Sequence, residues 1–524
     1  MIATNKKDFL WIIIASFLIL LLGSMPTWAG YQAQTEGFRF RGIYYDSQDY
    51  AVHIATMLAG RHGEWTYQFR FTTEPHRPAY IKLFYTVLGH VSIWTRLAPE
   101  PAFQVARLIL GLIALFALYI LMKQAFPDLF WARTAFLLAA LGSGLGWLQL
   151  IFGWTSTRIT PIDFWLADDY VFFSLSVFPH FAFVTAGMCI ALSLWLDFLG
   201  TKRWMNVFYI ALTAILVQFV NPIAFATVDL GLLGATLFSW WRSQKICKQD
   251  VGALLAIAMA QIPLLAYNFL VLNNDPLWSQ FTAQNQTLSP PPDYYLWGFA
   301  LFWPFAVLGI ILAFRTKSTA LGAAVFWVTS AFLLAYAPVY IQRRFLQDIT
   351  IPLAILATAG LVKLFETGIV LRLGLTRWRS ALVILFVFLT SVSSFQIGLG
   401  QSAYLQTHPE NLYYPASLDG AIQWLRENAQ YDDFILASEQ TSQVLAQKVG
   451  LRAYFGHEME TLHYKAKQLE VQSFFQGRLP RLARKPIKWV VYGPFEKELS
   501  PTFQAAENLR LVYDVPELQI YQVR

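Results

Sequence analysis

Four short stretches carry side chains able to do chemistry. Asp46-Ser47-Gln48-Asp49-Tyr50 sets two carboxylates and a phenol close together, and Glu74-Pro75-His76-Arg77 follows in the same polar, aromatic-rich stretch. Trp165-Leu166-Ala167-Asp168-Asp169 adds a second carboxylate pair, with Pro179-His180 shortly after it. Gln342-Arg343-Arg344-Phe345 sets two guanidiniums side by side. A carboxylate can take a proton from an attacking hydroxyl. Arginines meet phosphate oxygens with paired, planar hydrogen bonds that lysine cannot reproduce. Arginines or a divalent cation can also stabilise a departing phosphate. On this chemistry Asp46 and Asp49 are the catalytic candidates, with Asp46 as base, and Arg343 and Arg344 are the candidate phosphate clamp. Tyr50, Glu74, His76, Asp168, Asp169 and His180 are candidates for binding donor or acceptor. Should a divalent metal ion take part, Asp46 and Asp168 are its candidate ligands; no other cofactor is expected.

Each stretch also has a plainer reading. Asp49 can cap a helix that begins near Ala51, and Asp168-Asp169 can cap one that begins near Val171. His180 can be a satisfied histidine inside a bundle, and His76 can sit in an exposed turn. The two arginines can snorkel to lipid headgroups.

The elements that must hold these residues are apolar. The chain has 524 residues, 56% of them hydrophobic and 14% charged, with a mean hydropathy of +0.44. A soluble domain carries about 25% charged residues, so the deficit points to a membrane class. Trp11, Trp28, Trp131, Trp147, Trp240 and Trp241 lie at the ends of apolar runs, where interfacial belts form. The net charge of +7 comes largely from short loops between apolar stretches. It therefore reads as an orienting charge toward the bilayer, and no nucleic-acid partner is expected. Cys189 and Cys247 make neither a disulfide framework nor a zinc site, and the Asn285-Gln286-Thr287 sequon is a chance-level match. No Gly-rich loop precedes a helix as a nucleotide phosphate site would require. Gly142-Ser143-Gly144-Leu145-Gly146 falls inside an apolar stretch and reads as a place of close helix packing.

Lys6 and Lys7 precede an apolar run from Phe9 to Ala29 that is long enough to span and lacks a small-residue cleavage site. It is expected to be a retained first helix. Further spans are expected at about 103–122, 132–152, 171–198, 204–220, 223–241, 251–272, 294–314, 319–338, 346–364 and 380–400, about eleven in all. Lys202-Arg203, Arg242/Lys245/Lys248, Arg315/Lys317 and Arg372/Arg377/Arg379 alternate with acidic or neutral loops and are expected on the cytoplasmic side. The acidic loops and the tail then face outward. Residues 79–98 carry Lys82, His90 and Arg96 and fit the parity as an interfacial or re-entrant helix. Carboxylates and arginines at that outer face suit transfer from a phosphate-linked lipid. The expected division is a transmembrane domain over 1–400, with outer loops at 31–78 and 153–170, and an external α/β domain over 401–524. Strand-like runs at Phe434–Ala437, Trp489–Tyr492, Leu511–Tyr513 and Leu518–Val523, with helical patterns at Asp419–Glu427 and Gln443–Lys448, support the last of these.

The order of these motifs resembles the GT-C class of polytopic glycosyltransferases, which includes protein mannosyltransferases and lipid A aminoarabinose transferases. Asp46–Tyr50 followed by Ala51–Gly60 is similar to the acidic loop start and amphipathic helix of that class. Thr73-Glu74-Pro75-His76-Arg77-Pro78-Ala79-Tyr80 stands where many members carry a His-Pro-Pro-Leu-Tyr-like stretch, and Arg107-Leu108-Ile109-Leu110-Gly111 resembles an Arg-Leu-Pro-Ser-type helix opening. Trp165–Asp169, Pro179-His180-Phe181, and Gln342–Phe345 with Pro352-Leu353 are similar to a bacterial, largely uncharacterised subgroup. The second acid of the usual Asp-Glu pair is here Ser47, or is replaced by Asp49. The resemblance implies a polytopic α-helical bundle with a small C-terminal α/β extracytoplasmic domain, in the bacterial plasma membrane. It further implies an inverting transfer of a sugar from a polyprenyl-phosphate donor to a glycan, lipid or protein acceptor. Two other classes stay open: a transporter or flippase of lipid-linked saccharides, and a non-catalytic membrane receptor.

Overall fold

The structure, a computed structural model, describes residues 6–152, 161–479 and 486–524. The first part of the expected second outer loop, residues 153–160, lies outside the described residues. The chain forms two compact units: Met1–Met25, Gln104–Asn268 and Thr287–Gln401 make the first, and Pro26–Phe103, Phe269–Gln286 and Ser402–Arg524 the second.

A helix must be about 20 residues long to cross some 30 Å of hydrocarbon. Six helices among the described residues are long and apolar enough: Lys6–Gln32, Pro99–Ala125, Pro179–Thr201, Ala224–Ser243, Lys248–Asn274 and the helical stretch Leu375–Thr407. Pro292–Gly298 and Trp303–Thr316, bent by 91°, would make a seventh. Several of the eleven expected spans are therefore shorter or broken. The 132–152 stretch stops at Leu141, runs unwound through Gly142–Leu145 and resumes as Gly146–Ile151. The 171–198 stretch divides into Val171–Val177 and Pro179–Thr201, because Pro179 cannot continue a helix but starts one well.

Small residues set the packing of the first unit. A Cβ on Gly309 would collide with the Leu356 carbonyl, and one on Gly360 with that of Phe305. The helices Trp303–Thr316 and Thr350–Phe365 can therefore approach backbone to backbone. Basic segments gather at one end of this unit. Lys202 pairs with Asp250, Trp240 Nε1 donates to Asp250 Oδ2 (3.0 Å), and Lys317 stands 4.9 Å from the Trp241 ring.

The second unit is a sandwich around a sheet. β1 (Phe38–Phe40) and β2 (Tyr413–Pro415) pair antiparallel. β3 (Phe434–Leu436), β4 (Arg452–Ala453), β5 (Ile487–Tyr492), β6 (Leu509–Val515) and β7 (Leu518–Val523) form a sheet in the order β4-β3-β5-β7-β6. β3 is parallel to both β4 and β5, and β7 is antiparallel to β5 and β6. Period-two alternation gives the sheet two buried faces. Ile435, Ala437, Trp489, Val491 and Ile520 face a core shared with the helices Leu418–Asn428 and Glu439–Val449 and with Ala51, Val52, Ala55, Phe69, Phe71 and Trp278. Leu436, Val490, Tyr492 and Tyr521 face a second core with Val471, Phe474 and Phe475. Residues of the first expected outer loop are thus part of the same apolar core as the sheet. At the carboxyl ends of β3 and β5, buried Glu496 accepts from the backbone of Ser438 (2.7 Å) and of Gly493 (2.9 Å).

The helices Ser47–Arg61 and Leu83–Trp94 also pack backbone to backbone here, where a Cβ on Gly60 would meet the Thr86 carbonyl and one on Gly89 that of Met57. At 12 residues, Leu83–Trp94 is too short to cross a bilayer as a helix.

Candidate active site

The second unit positions Asp46, Asp49, Tyr50, Glu74 and His76. The Ser47–Arg61 helix is capped by Asp46, whose Oδ1 accepts from the Asp49 backbone N–H at 3.1 Å. The plainer reading therefore holds for Asp46 rather than Asp49. Asp46 takes a left-handed conformation (φ 46, ψ 65), which Asp tolerates better than most residues, and its side chain is exposed. One turn in, Asp49 Oδ1 receives His457 Nε2 at 3.1 Å. Burial acts to raise the Asp49 carboxyl, but His457, His53 and Lys82 outweigh it and hold the group well below the usual carboxylate range. Asp49 is thus a fixed anion.

Arg41 lies beneath this helix start, with 1% of its surface exposed. Its Nη1 donates to Ser47 Oγ and to the Asn411 carbonyl, and its Nη2 to the Ser47 carbonyl, all at 3.2 Å. Burial away from water pushes it down to about 10, against the pull of Glu439. Tyr50 is fully buried, edge-on to Phe103 at 5.0 Å.

Glu74 and His76 are held by their surroundings. Lys467 Nζ meets Glu74 Oε2 at 2.7 Å, and Thr72 also donates to it, so the carboxyl stays below its usual range despite partial burial. His76 Nδ1 lies 2.9 Å from the Glu74 carbonyl and its Nε2 accepts from the Phe69 N–H at 3.1 Å. Both ring nitrogens thus serve the backbone, and burial lowers the ring's affinity for a proton.

The first unit brings Asp168, Asp169, Arg343 and Arg344 together. The tight turns Ala167–Asp169 and Gln342–Leu346 are stitched by the Asp348 N–H, which donates to the Asp168 carbonyl at 2.8 Å. Arg344 Nη1 pairs with Asp168 Oδ2 at 3.0 Å. Arg343 lies over Trp165, 5.6 Å from its ring, and its backbone N–H donates to the Thr287 carbonyl at 3.1 Å. Asp169 is fully buried, and among the described residues neither of its carboxylate oxygens finds a hydrogen-bond donor. Burial, then the Asp168 charge, raises its pKa well above the usual value, with Arg343 and Arg344 opposing. Asp348 Oδ2 accepts from Thr185 Oγ1 at 2.7 Å. The pair Asp168-Asp169 does not cap the following helix, whose start at Tyr170 has no side-chain cap. His180 is half-buried at the second residue of Pro179–Thr201, against Phe178 and Phe181.

Asp46 and Asp168, the candidate metal ligands, lie in different units. Among the described residues no group of three or more His, Cys, Asp or Glu is placed to hold a metal ion, and Asp168 is engaged by Arg344. Sequence reasoning missed Arg41, His457 and Asp348. A lone histidine 408 residues from its aspartate leaves no periodic or motif signal.

No protein-family model matches the chain, and no curated protein matches it by sequence. Solved structures do match. ArnT from Cupriavidus metallidurans bound to undecaprenyl phosphate is 16% identical, with a TM-score of 0.53 over 99% of this chain and 98% of that one. The Archaeoglobus fulgidus oligosaccharyltransferase is 13% identical, with a TM-score of 0.54 over 94% of this chain and 71% of that one. Mycobacterial arabinofuranosyltransferase AftD is 13% identical, with a TM-score of 0.52 over 99% of this chain and 40% of that one. All three are GT-C glycosyltransferases. The chain has the GT-C fold. A GT-C architecture accounts for a multi-pass helical membrane protein that also carries a small C-terminal sheet.

Proposed function

We propose that this protein is a membrane glycosyltransferase that moves a sugar from a polyprenyl-phosphate donor to an acceptor outside the cytoplasm, with inversion. The observation that carries the reading is the paired-arginine turn set against buried carboxylates, in a chain with the GT-C fold. The acceptor hydroxyl gives its proton to the exposed Asp46 carboxylate while its oxygen forms a bond to the anomeric carbon. The bond from that carbon to the phosphate oxygen breaks, and the phosphate leaves on its lipid. Arg343 and Arg344 hold the charge that develops there. Asp49 stays ionised and keeps the helix start in place, and Asp168 shares Arg344 with the phosphate. Asp169, Tyr50, Glu74, His76 and His180 shape donor and acceptor binding. Each of these steps is carried by a side chain of the protein itself. The same reading puts the acidic loops and residues 401–524 on the outer side of a bacterial plasma membrane.

The decisive experiment presents the purified protein with a panel of radiolabelled polyprenyl-phosphate sugars and an extract of envelope acceptors. Wild-type protein transfers label from at least one donor, and Asp46→Asn, folded to the same extent, does not. Near-normal transfer by Asp46→Asn removes Asp46 from the mechanism.

A transporter of lipid-linked saccharides is the second reading. It is favoured by the polar chain Asp229–Gln261–Gln218 among apolar helices, with bonds of 2.9 and 2.6 Å. Flipping of a labelled lipid-linked sugar without transfer would select it.

A further inference from the structure

We propose that His457 is a positioning residue of the acidic centre, acting on Asp46 through Asp49. The inference rests on the glycosyltransferase reading above and deepens it. His457 Nδ1 accepts from the backbone N–H groups of Met459 (3.0 Å) and Glu460 (3.2 Å), so the ring's hydrogen sits on Nε2. That N–H points at Asp49 Oδ1, 3.1 Å away. The imidazole is 4% exposed, and its own backbone N–H is held by Thr461 Oγ1 at 3.2 Å. A donor fixed in this way sets one carboxylate orientation for Asp49. The Asp49 N–H in turn donates to Asp46 Oδ1, so the proposed base is aimed by the residue that His457 holds.

A second tether runs beside the first. Gln48 Nε2 donates to Glu439 Oε1 at 2.7 Å, and its Oε1 accepts from the Glu458 N–H at 3.1 Å. The loop that carries His457 is anchored from behind by Gln284, which donates to the Glu458 and Thr461 carbonyls (3.0 and 2.9 Å), and by Asn285, which donates to Met459 (3.0 Å). This anchoring holds the loop at three backbone carbonyls. It makes the C-terminal segment part of the machinery that holds the acidic helix start.

The test uses full-length protein in detergent or liposomes, with the variants His457→Ala, His457→Gln, Asp49→Asn and the Ala/Asn double. Loss of a charge-assisted hydrogen bond predicts a fall in kcat of about tenfold for His457→Ala, with the donor KM unchanged. His457→Gln, which returns a neutral N–H donor, recovers most of that loss, and the double variant is no slower than Asp49→Asn alone. Hydrogen exchange over residues 46–52 rises in His457→Ala while its melting temperature stays near wild type. Unchanged exchange there overturns the proposal whether or not a donor has been found. So does wild-type kcat in His457→Ala, or a loss that Gln fails to recover. A wild-type protein that transfers from no donor in the panel sinks the glycosyltransferase reading instead, and the exchange measurement separates the two failures.

Discussion

The two polar centres solve opposite problems. In the second unit four acidic groups around this centre are each met by a donor: Asp46 by a backbone N–H, Asp49 by His457, Glu460 by Lys82 and Tyr67, Glu74 by Lys467. In the first unit Asp168 and Asp169 crowd two arginines, and Asp169 goes without a hydrogen-bond donor among the described residues. The first pattern fixes a geometry. The second leaves a buried carboxyl without a donor, which is costly in itself and favours its protonated form. A centre that aims a base needs the former, and a centre that takes up and releases a phosphate can use the latter.

The sharpest way to break this contrast is to remove the clamp. Arg343→Ala with Arg344→Ala should raise the donor KM by about 10–100-fold, the range expected for charge-assisted hydrogen bonds, while exchange over residues 46–52 stays put. An unchanged donor KM would deny the first unit its proposed role. Next in size is the helix pair beneath the clamp. Gly360→Val should cost about 1–3 kcal/mol through overpacking against the Phe305 carbonyl, read as a lower melting temperature in detergent. A stable variant would mean those helices are free to part.

Smaller effects follow from charge alone. Asp169 keeps its proton to higher pH folded than unfolded, so its contribution to stability is full below the ordinary carboxylate value of about 4 and is lost as pH rises through its own raised value. Asp169→Asn should therefore flatten the decline of melting temperature with rising pH, and a steeper decline would reverse the assignment. Smallest is Glu74→Gln. Lys467 is 4% exposed, but the amide oxygen of Gln can still accept from its ammonium, so the melting temperature should fall by no more than a few degrees.

Legibility in the sequence followed the strength of the periodic signal. The four expected strand runs coincide with β3, β5, β6 and β7, whose alternation serves two buried faces. β1, β2 and β4, at two or three residues each, are too short to alternate. The fold class was legible because the charge deficit and the apolar stretches are extreme. The breaks at Gly142–Leu145 and Phe178-Pro179 were not, since hydropathy averages across them. In the first unit, the nearness of Asp168 to Arg344 depends on two turns meeting across 176 residues, which no local pattern encodes. Tyr464–Phe475 and Pro276–Gln284 were unmarked for a related reason: each has a weak polar–apolar contrast along its length.

Glu496 bears on where the driving force of the reaction resides. Open α/β sheets seat nucleotide phosphates beside the carboxyl ends of neighbouring parallel strands, against free backbone N–H groups at a helix start. Here that ledge, between β3 and β5, is already filled from within by a glutamate bound to Ser438 and Gly493. The sheet has given its anion seat to its own chain, so a soluble nucleotide has no berth there. On the proposed reading, the activation the chemistry needs is carried in the phosphoester bond of the lipid donor.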